Sequence, residues 1–155
     1  MIYSRSCEYA IRAFVHLAQL PEGECAMVKN IALKESIPAH FLAKILQEMA
    51  RKGLLRSSKG PTGGFCLARP AREIRLIDIV NTIDGVGDFE RCVAGLPVCS
   101  DARPCAQHAE WTALRSRIVR YLERNTIAGL AKTFEQNRRV LHRSGAVAKR
   151  VSTRP

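Results

Sequence analysis

The chain changes its hydrophobic period at Gly53, and this change constrains the fold more than any other feature. Before Gly53, apolar residues recur at helical spacing in three segments, over residues 4–20, 28–35 and 39–52. After it, residues 54–58 and 65–68 have the composition of two short strands around a turn rich in Gly and Pro. Two helices joined by a short connection and followed by a β-hairpin predict a helix-turn-helix with a wing.

Three more helices are predicted downstream, over residues 76–84, 104–125 and 127–134, so the fold class is mostly α. The long middle helix carries one apolar stripe, made of Trp111, Leu114, Ile118, Val119 and Leu122. This stripe is longer than one small core requires. The helix therefore either crosses its own domain or packs against a second subunit.

The charge of the chain points to a polyanionic partner. The formal net charge is +11, and six of the cations lie in residues 136–155, which contain no acid. Lys and Arg that neutralise phosphates release condensed counterions, which makes nucleic acid the leading class of partner. The basic tail lacks periodicity and is predicted to be disordered. No signal peptide and no membrane-spanning run is visible, so we expect a cytoplasmic protein with no membrane partner.

Four potential ligands follow the fourth predicted helix in a polar, Gly- and Pro-containing stretch. Six residues separate Cys92 from Cys99, five separate Cys99 from Cys105, and two separate Cys105 from His108. Thiolates on flexible backbone are the usual ligands of iron-sulfur clusters, and Cys with His also suits zinc. From the residues alone both groups remain open. Because a cytosolic chain of this size does not depend on disulfides, ligation is the better use of these thiols.

The other cysteines have structural interpretations. Cys7 on the first helix and Cys66 in the hairpin are predicted to be small core residues, whereas Cys25 lies in a turn where it can be exposed. Glu8 lies off the apolar stripe of the first helix, as a solvated carboxylate would. His16 has no evident partner in the sequence.

Two segments are placed to meet DNA. His40 stands at the start of the second helix of the helix-turn-helix, where side chains reach base edges or phosphates. The wing tip, residues 59–64, combines Lys59 with glycines that allow close approach of the backbone to a surface. Its spacing matches no nucleotide-binding loop, which argues against phosphate binding of that kind.

Residues 37–46, 53–57, 59–65 and 67–70 resemble the Rrf-type family of winged-helix transcription regulators, and the likeness extends over about residues 1–134. The resemblance implies a homodimer in which the long C-terminal helices cross at the interface. It also implies that Cys92, Cys99 and Cys105 are the thiolate ligands of an iron-sulfur cluster.

The resemblance leaves two candidates for the fourth ligand. His108 matches the histidine of the IscR-like 2Fe-2S branch, whereas Glu8 matches a carboxylate that the partner subunit supplies in NsrR-like members. A 2Fe-2S cluster is favoured, and a 4Fe-4S cluster is the alternative. The predicted DNA-binding residues are Ala39, His40, Lys44, Lys59, Gly60, Thr62 and Gly63.

These expectations divide the chain into four parts: a winged helix-turn-helix over residues 1–84, a cysteine loop over 85–108, a dimerisation helix with a short terminal helix over 104–134, and a basic tail over 135–155.

The predicted function is a non-enzymatic, homodimeric regulator that binds a palindromic operator in double-stranded DNA. An iron-sulfur cluster would control it in response to iron or cluster supply, redox state or nitric oxide. The alternatives are a small electron-transfer or thiol-redox protein, and a DNA-binding regulator with a structural zinc.

Overall fold

The computed structural model describes residues 2–60, 63–85 and 87–137. Thr62 and the basic tail beyond residue 137 lie outside the described residues. The helices are, in chain order, α1 (Arg5–Ala18), α2 (Val28–Glu35), α3 (Ala39–Arg51), α4 (Leu76–Ile83), α5 (Gly87–Glu90), α6 (His108–Arg124) and α7, described over residues 127–137. Strands β1 (Leu55–Ser58) and β2 (Gly64–Leu67) form an antiparallel hairpin, and a 3-10 turn over Ala71–Glu73 leads into α4. The mostly α, winged helix-turn-helix class is confirmed.

The core forms around α1, which packs against both α3 and α4. Phe14, Leu46 and Ile79 contribute side chains that are fully buried. Burial of an aliphatic or aromatic side chain of this size stabilises the fold by about 1.5 to 3 kcal/mol. Helix α1 starts cleanly because the Oγ atom of Ser4 accepts a hydrogen bond of 3.1 Å from the backbone N–H of Cys7.

A left-handed residue ends α2 before the turn to α3. Ser36 has φ 53°, and its N–H reaches back to the carbonyls of Ala32 and Leu33. Ile37 is buried directly after it, and Pro38 then precedes the first turn of α3. The end of α2 at Ser36, the burial of Ile37 and the start of α3 after Pro38 place one face of α3 on the core. The opposite face of α3 remains free.

A buried polar contact ties α1 to the end of α2. The Nδ1 atom of His16 lies 3.3 Å from the carboxylate of Glu35, and the His16 side chain is only 6% exposed. Arg12 donates to the backbone carbonyl of Glu35, and its Nε atom lies 3.6 Å from the carboxylate of Glu35. The sequence had suggested no partner for His16, because the two helices come together only in the fold.

Strand β2 pairs along both of its edges. On one edge it pairs with β1, from Leu55 opposite Leu67 to Ser58 opposite Gly64. On the other edge, Ala26 and Phe65 exchange two backbone hydrogen bonds of 2.9 Å each. Gly64, with φ 146°, permits this approach, since a Cβ atom there would collide with the Ala26 carbonyl. The segment that precedes α2 is thus joined to the wing.

Three expectations need correction. Helix α6 begins at His108 rather than near Pro104, because Cys105 forms a turn in which its carbonyl accepts from the N–H of His108 at 3.0 Å. Phe41, whose spacing predicts a place on the apolar face of α3, is 54% exposed, and its ring centroid lies 4.5 Å from that of His40. Residues 135–137, assigned to the disordered tail, continue helix α7.

Candidate DNA interface and cysteine loop

One face of α3 is free for a ligand. Leu42 and Leu46 are fully buried, whereas His40, Lys44 and Gln47 are exposed. These three exposed positions are spaced four and three residues apart, so they share one face of the helix. Gln47 was not among the predicted DNA-binding residues, although its spacing from Lys44 could have identified it. Ala39, at the start of α3, is also exposed.

Among the described residues of the wing, two of the predicted positions are exposed and one is buried. Lys59 and Gly60 are exposed at the end of β1. Gly63 is buried instead, and its N–H donates to the carbonyl of Gly60 at 2.9 Å. A Cβ atom at Gly63 would lie 2.5 Å from the carbonyl oxygen of Ser58, so this glycine shapes the turn rather than presenting a surface.

The cysteine loop brings its four predicted ligands together in two pairs. The Sγ atoms of Cys92 and Cys105 lie 3.7 Å apart. The Sγ atom of Cys99 lies 3.5 Å from the Nδ1 atom of His108. Within the described ranges, no set of three or more His, Cys, Asp or Glu side chains is arranged to hold one metal ion. The closest contacts join Cys92 to Cys105 and Cys99 to His108, and Cys92 also interacts with Cys99.

The first turns of α6 hold the loop by its backbone. The Nε1 atom of Trp111 donates to the carbonyl of Arg91 at 2.9 Å, next to Cys92. At the other end, the turn from Cys105 to His108 leads directly into the helix. Between these anchors the loop is open, and Val98 is 69% exposed.

Local hydrogen bonds favour the thiolate form of Cys92. Its pKa is lowered from the ordinary value, first by the backbone N–H of Leu96 and then by that of Ala94. Hydrogen bonds with Cys105 and Cys99 act in the same direction, and partial desolvation opposes them. Because the thiolate is the form that binds metals, this environment suits a ligand.

His108 is oriented by a residue that the sequence reasoning missed. Its Nε2 atom lies 2.8 Å from a carboxylate oxygen of Asp101, and only 13% of the His108 side chain is exposed. An imidazole that donates its Nε2 proton to Asp101 leaves the lone pair of Nδ1 directed at Cys99. Metal-bound histidines commonly have such a carboxylate partner. The sequence feature that could have identified Asp101 is an acidic residue in the same loop as the histidine.

The remaining candidates lie apart from this pairing. Glu8 lies on α1, where its carboxylate is 3.8 Å from Arg12. Cys7 is buried, and this burial raises its pKa to about 12, as expected of a core thiol. Cys66 is buried as predicted, and Cys25 is partly exposed.

Residues 3–133 match the Rrf2 family, which is described as an iron-dependent transcriptional regulator. The chain belongs to this family. It is 34% identical over 139 residues to an HTH-type transcriptional regulator of Aquifex aeolicus, covering 88% of this chain and 96% of that protein. It is 28% identical over 127 residues to the HTH-type transcriptional regulator IscR of Escherichia coli, covering 82% and 78%.

A solved structure agrees in fold. CymR, the global cysteine regulator of B. subtilis, superposes with a TM-score of 0.70 at 22% identity, over 84% of this chain and 95% of that one. The family and its relatives are transcriptional regulators, so this chain is a DNA-binding transcription regulator and not an enzyme. Among the described helices, none is both long and apolar enough to span a membrane.

Proposed function

We propose that this regulator is a cytoplasmic homodimer whose binding to a palindromic DNA operator is controlled by an iron-sulfur cluster. Cys92, Cys99, Cys105 and His108 would hold that cluster. The proposal is carried by two contacts among these donors, one between Cys92 and Cys105 and one between Cys99 and His108. Each iron of a 2Fe-2S cluster takes two protein ligands, so two pairs of donors suit that cluster.

The residues of the loop have separate roles in this proposal. Cys92 supplies a thiolate that its neighbouring N–H groups already favour. Asp101 would accept the Nε2 proton of His108, which would leave the Nδ1 atom beside Cys99 as the ligand. When bound, the cluster supplies a redox-active and chemically labile centre. The likeness to IscR, together with the family's description as iron-dependent, supports this assignment.

Anaerobic purification followed by absorption spectroscopy and by iron and sulfide analysis tests the cofactor. We expect visible absorption with equal amounts of iron and sulfide, and loss of that absorption on Cys92→Ser, Cys99→Ser or Cys105→Ser. Cys7→Ser, which changes a buried core thiol, is the control and should leave the spectrum unchanged. A colourless wild-type protein free of iron would overturn the proposal.

The fourth ligand has its own test. We expect His108→Ala to change the visible spectrum and Glu8→Ala to leave it unchanged, because His108 already lies beside Cys99. The reverse result would assign the fourth ligand to Glu8 of the partner subunit.

Structural zinc is the second candidate, and one distance is compatible with it. Two thiolates bound tetrahedrally to zinc at about 2.3 Å lie about 3.8 Å apart. The separation of Cys92 and Cys105, at 3.7 Å, matches that spacing. Zinc gives no visible absorption, so stoichiometric zinc in a colourless protein would decide for this alternative.

Helix α6 supports the homodimer. Leu114 is 50% exposed and Tyr121 is 47% exposed, while Leu122 packs into the core of its own domain. The helix thus buries one edge of its apolar stripe and leaves the other uncovered. We expect Leu114→Arg to convert a dimer into a monomer in sedimentation at micromolar concentration. Arg117→Ala, a change at an exposed polar position of the same helix, should leave the dimer intact.

The same helix gives a route from cluster to DNA. Its first residue is the proposed ligand His108, and Leu122 near its end is buried against the DNA-binding core. A cluster can shift the protein between two geometries only if it binds them with different free energies. We therefore expect cluster-loaded and cluster-free protein to differ in operator affinity. Equal affinities, with cluster content verified, would remove the cluster from control of DNA binding.

A further inference from the structure

We propose that Cys25 and Cys66 are a redox-active dithiol that a peroxide converts to a disulfide between the wing and the segment before α2. Neither cysteine belongs to the cysteine loop, and the proposal does not depend on a cluster. It rests on the backbone pairing of two segments that are far apart in the sequence.

The backbone places the two cysteines directly opposite each other. Ala26 and Phe65 exchange both of their backbone hydrogen bonds. This is a single antiparallel bridge, and its register continued by one residue sets Cys25 opposite Cys66. Ideal antiparallel geometry gives such a non-hydrogen-bonded pair Cα atoms about 4.5 Å apart and side chains on one face. Disulfides join Cα atoms about 4.4 to 6.8 Å apart, so the bond can form without a change of register.

The side chains agree with this register. The Cys66 thiol is the largest influence that raises the pKa of Cys25, as expected for two side chains that face each other. Cys66 also donates weakly to the carbonyl of Arg56, at 3.8 Å. Cys66 is 5% exposed, whereas Cys25 is partly exposed, so an oxidant from solvent meets Cys25 first.

The reaction balances with hydrogen peroxide as the oxidant. The Cys25 sulfur attacks one peroxide oxygen, the O–O bond breaks, and Cys25 sulfenic acid and water are formed. The Cys66 sulfur then attacks the Cys25 sulfur, the S–O bond breaks, and a second water leaves. Two thiols and one peroxide thus give one disulfide and two waters, with two electrons passing from sulfur to oxygen.

The electrostatics make this a slow reaction at neutral pH. The hydrogen bond to Cys66, followed by desolvation, raises the pKa of Cys25 to about 11. Cys66 and Glu24 also raise it by charge, and Arg56 opposes them. Since the thiolate is the nucleophile, the rate should rise with pH. Oxidation of the reduced full-length protein is therefore best followed at mildly alkaline pH.

Peptide mapping after treatment with hydrogen peroxide and trypsin tests the proposal. Cleavage after Lys and Arg places Cys25 in residues 13–29 and Cys66 in residues 60–72, with no other cysteine in either peptide. We expect a linked species two hydrogens lighter than the sum of the two peptides, and its disappearance on reduction. The triple variant Cys92→Ser, Cys99→Ser, Cys105→Ser, which lacks the loop thiols, should give the same species. That result separates the dithiol from any cluster chemistry.

A second measurement does not depend on peptide recovery. A disulfide that closes the loop between these residues should raise the Tm of the oxidised protein by on the order of 5 to 10 °C. Cys25→Ser should abolish the rise, and Cys7→Ser should preserve it. The proposal is overturned if Cys25 is found as a sulfinic acid while Cys66 stays reduced. Linkage of Cys25 to Cys92, Cys99 or Cys105 would overturn it as well.

Discussion

The DNA-reading half of the molecule and the cysteine loop are built in opposite ways. Helices α1 to α4 pack around fully buried side chains such as Phe14, Leu42 and Met49. In the loop between α5 and α6, Val98 is 69% exposed and Leu96 is 44% exposed. The helices of the first region are stabilised by burial of their own apolar side chains. The second is held by a few hydrogen bonds from α6 and by contacts among its thiols.

This difference suits a sensor joined to a reader. A rigid core keeps the exposed face of α3 in one orientation, which base recognition requires. A loop with few apolar contacts can respond to gain or loss of a ligand without unfolding the rest. Helix α6 links the two regions, because it begins in the loop and ends in the core.

The largest effect is expected on the stability of the DNA-binding region formed by helices α1 to α4. Leu46→Ala removes a fully buried side chain and should lower the free energy of unfolding by about 2 to 5 kcal/mol. Val98→Ala in the exposed loop should change it by no more than about 0.5 kcal/mol. Urea unfolding followed by circular dichroism measures both. Equal losses would show that loop and reader share one core.

Next in size is the effect of the carboxylate beside His108. Asp101→Asn removes the charge that orients the imidazole and should weaken retention of the bound group about 10- to 100-fold. Chelator-driven loss of visible absorption or of zinc measures retention. Asp84→Asn, which alters a carboxylate bonded to Ser4, is the control. Unchanged retention in Asp101→Asn would exclude an orienting role.

The face of α3 should govern discrimination between DNA sequences. His40→Ala or Lys44→Ala should reduce the preference for operator over random DNA by about 1 to 3 kcal/mol wherever the side chain bonds to a base edge. Lys52→Ala, near the other end of α3, removes the same charge and should weaken both complexes alike. Binding isotherms on both DNAs measure the difference. Retained preference in His40→Ala and Lys44→Ala would show that bases are read elsewhere.

Cysteine reactivity gives a smaller, pH-dependent contrast. Because its pKa is raised to about 11, the Cys25 thiol stays protonated at pH 7.5. The pKa of Cys92 is lowered, so a larger fraction of Cys92 is thiolate at this pH. In metal-free, reduced protein, we expect iodoacetamide to modify Cys92 at least about tenfold faster at this pH. The difference between the two modification rates should become smaller as the pH approaches 11. Mass spectrometry over a pH series follows both sites, and faster labelling of Cys25 would contradict the assignment.

The basic tail should have the smallest effect on specificity. Deleting residues 136–155 should weaken the affinity for operator DNA and for random DNA by similar factors. The reason is that charges outside the winged domain contact only phosphates. For every phosphate that the shortened chain no longer neutralises, the log-log slope of affinity against salt should fall by about 0.9. A salt series on both DNAs measures this slope. Disappearance of the operator preference would place sequence recognition in the tail.

Much of the fold could be predicted from the sequence. The bounds of α2 were predicted residue for residue, and α3, α4 and the hairpin differ from prediction by about one residue at their ends. Apolar spacing and turn residues are local signals, which explains this agreement. The four candidate ligands were visible for the same reason, because they lie within one short loop.

What the sequence could not reveal depends on contacts between distant segments. The bond between His16 and Glu35 needs α1 and α2 side by side, and the orientation of His108 by Asp101 needs a folded loop. The pairing of Cys25 with Cys66 depends on a bridge between Ala26 and Phe65, far apart in the chain. The sequence alone therefore indicated most of the helices, the wing and a set of candidate ligands. Only the tertiary structure decided which side chains face each other, because that depends on packing rather than on local periodicity.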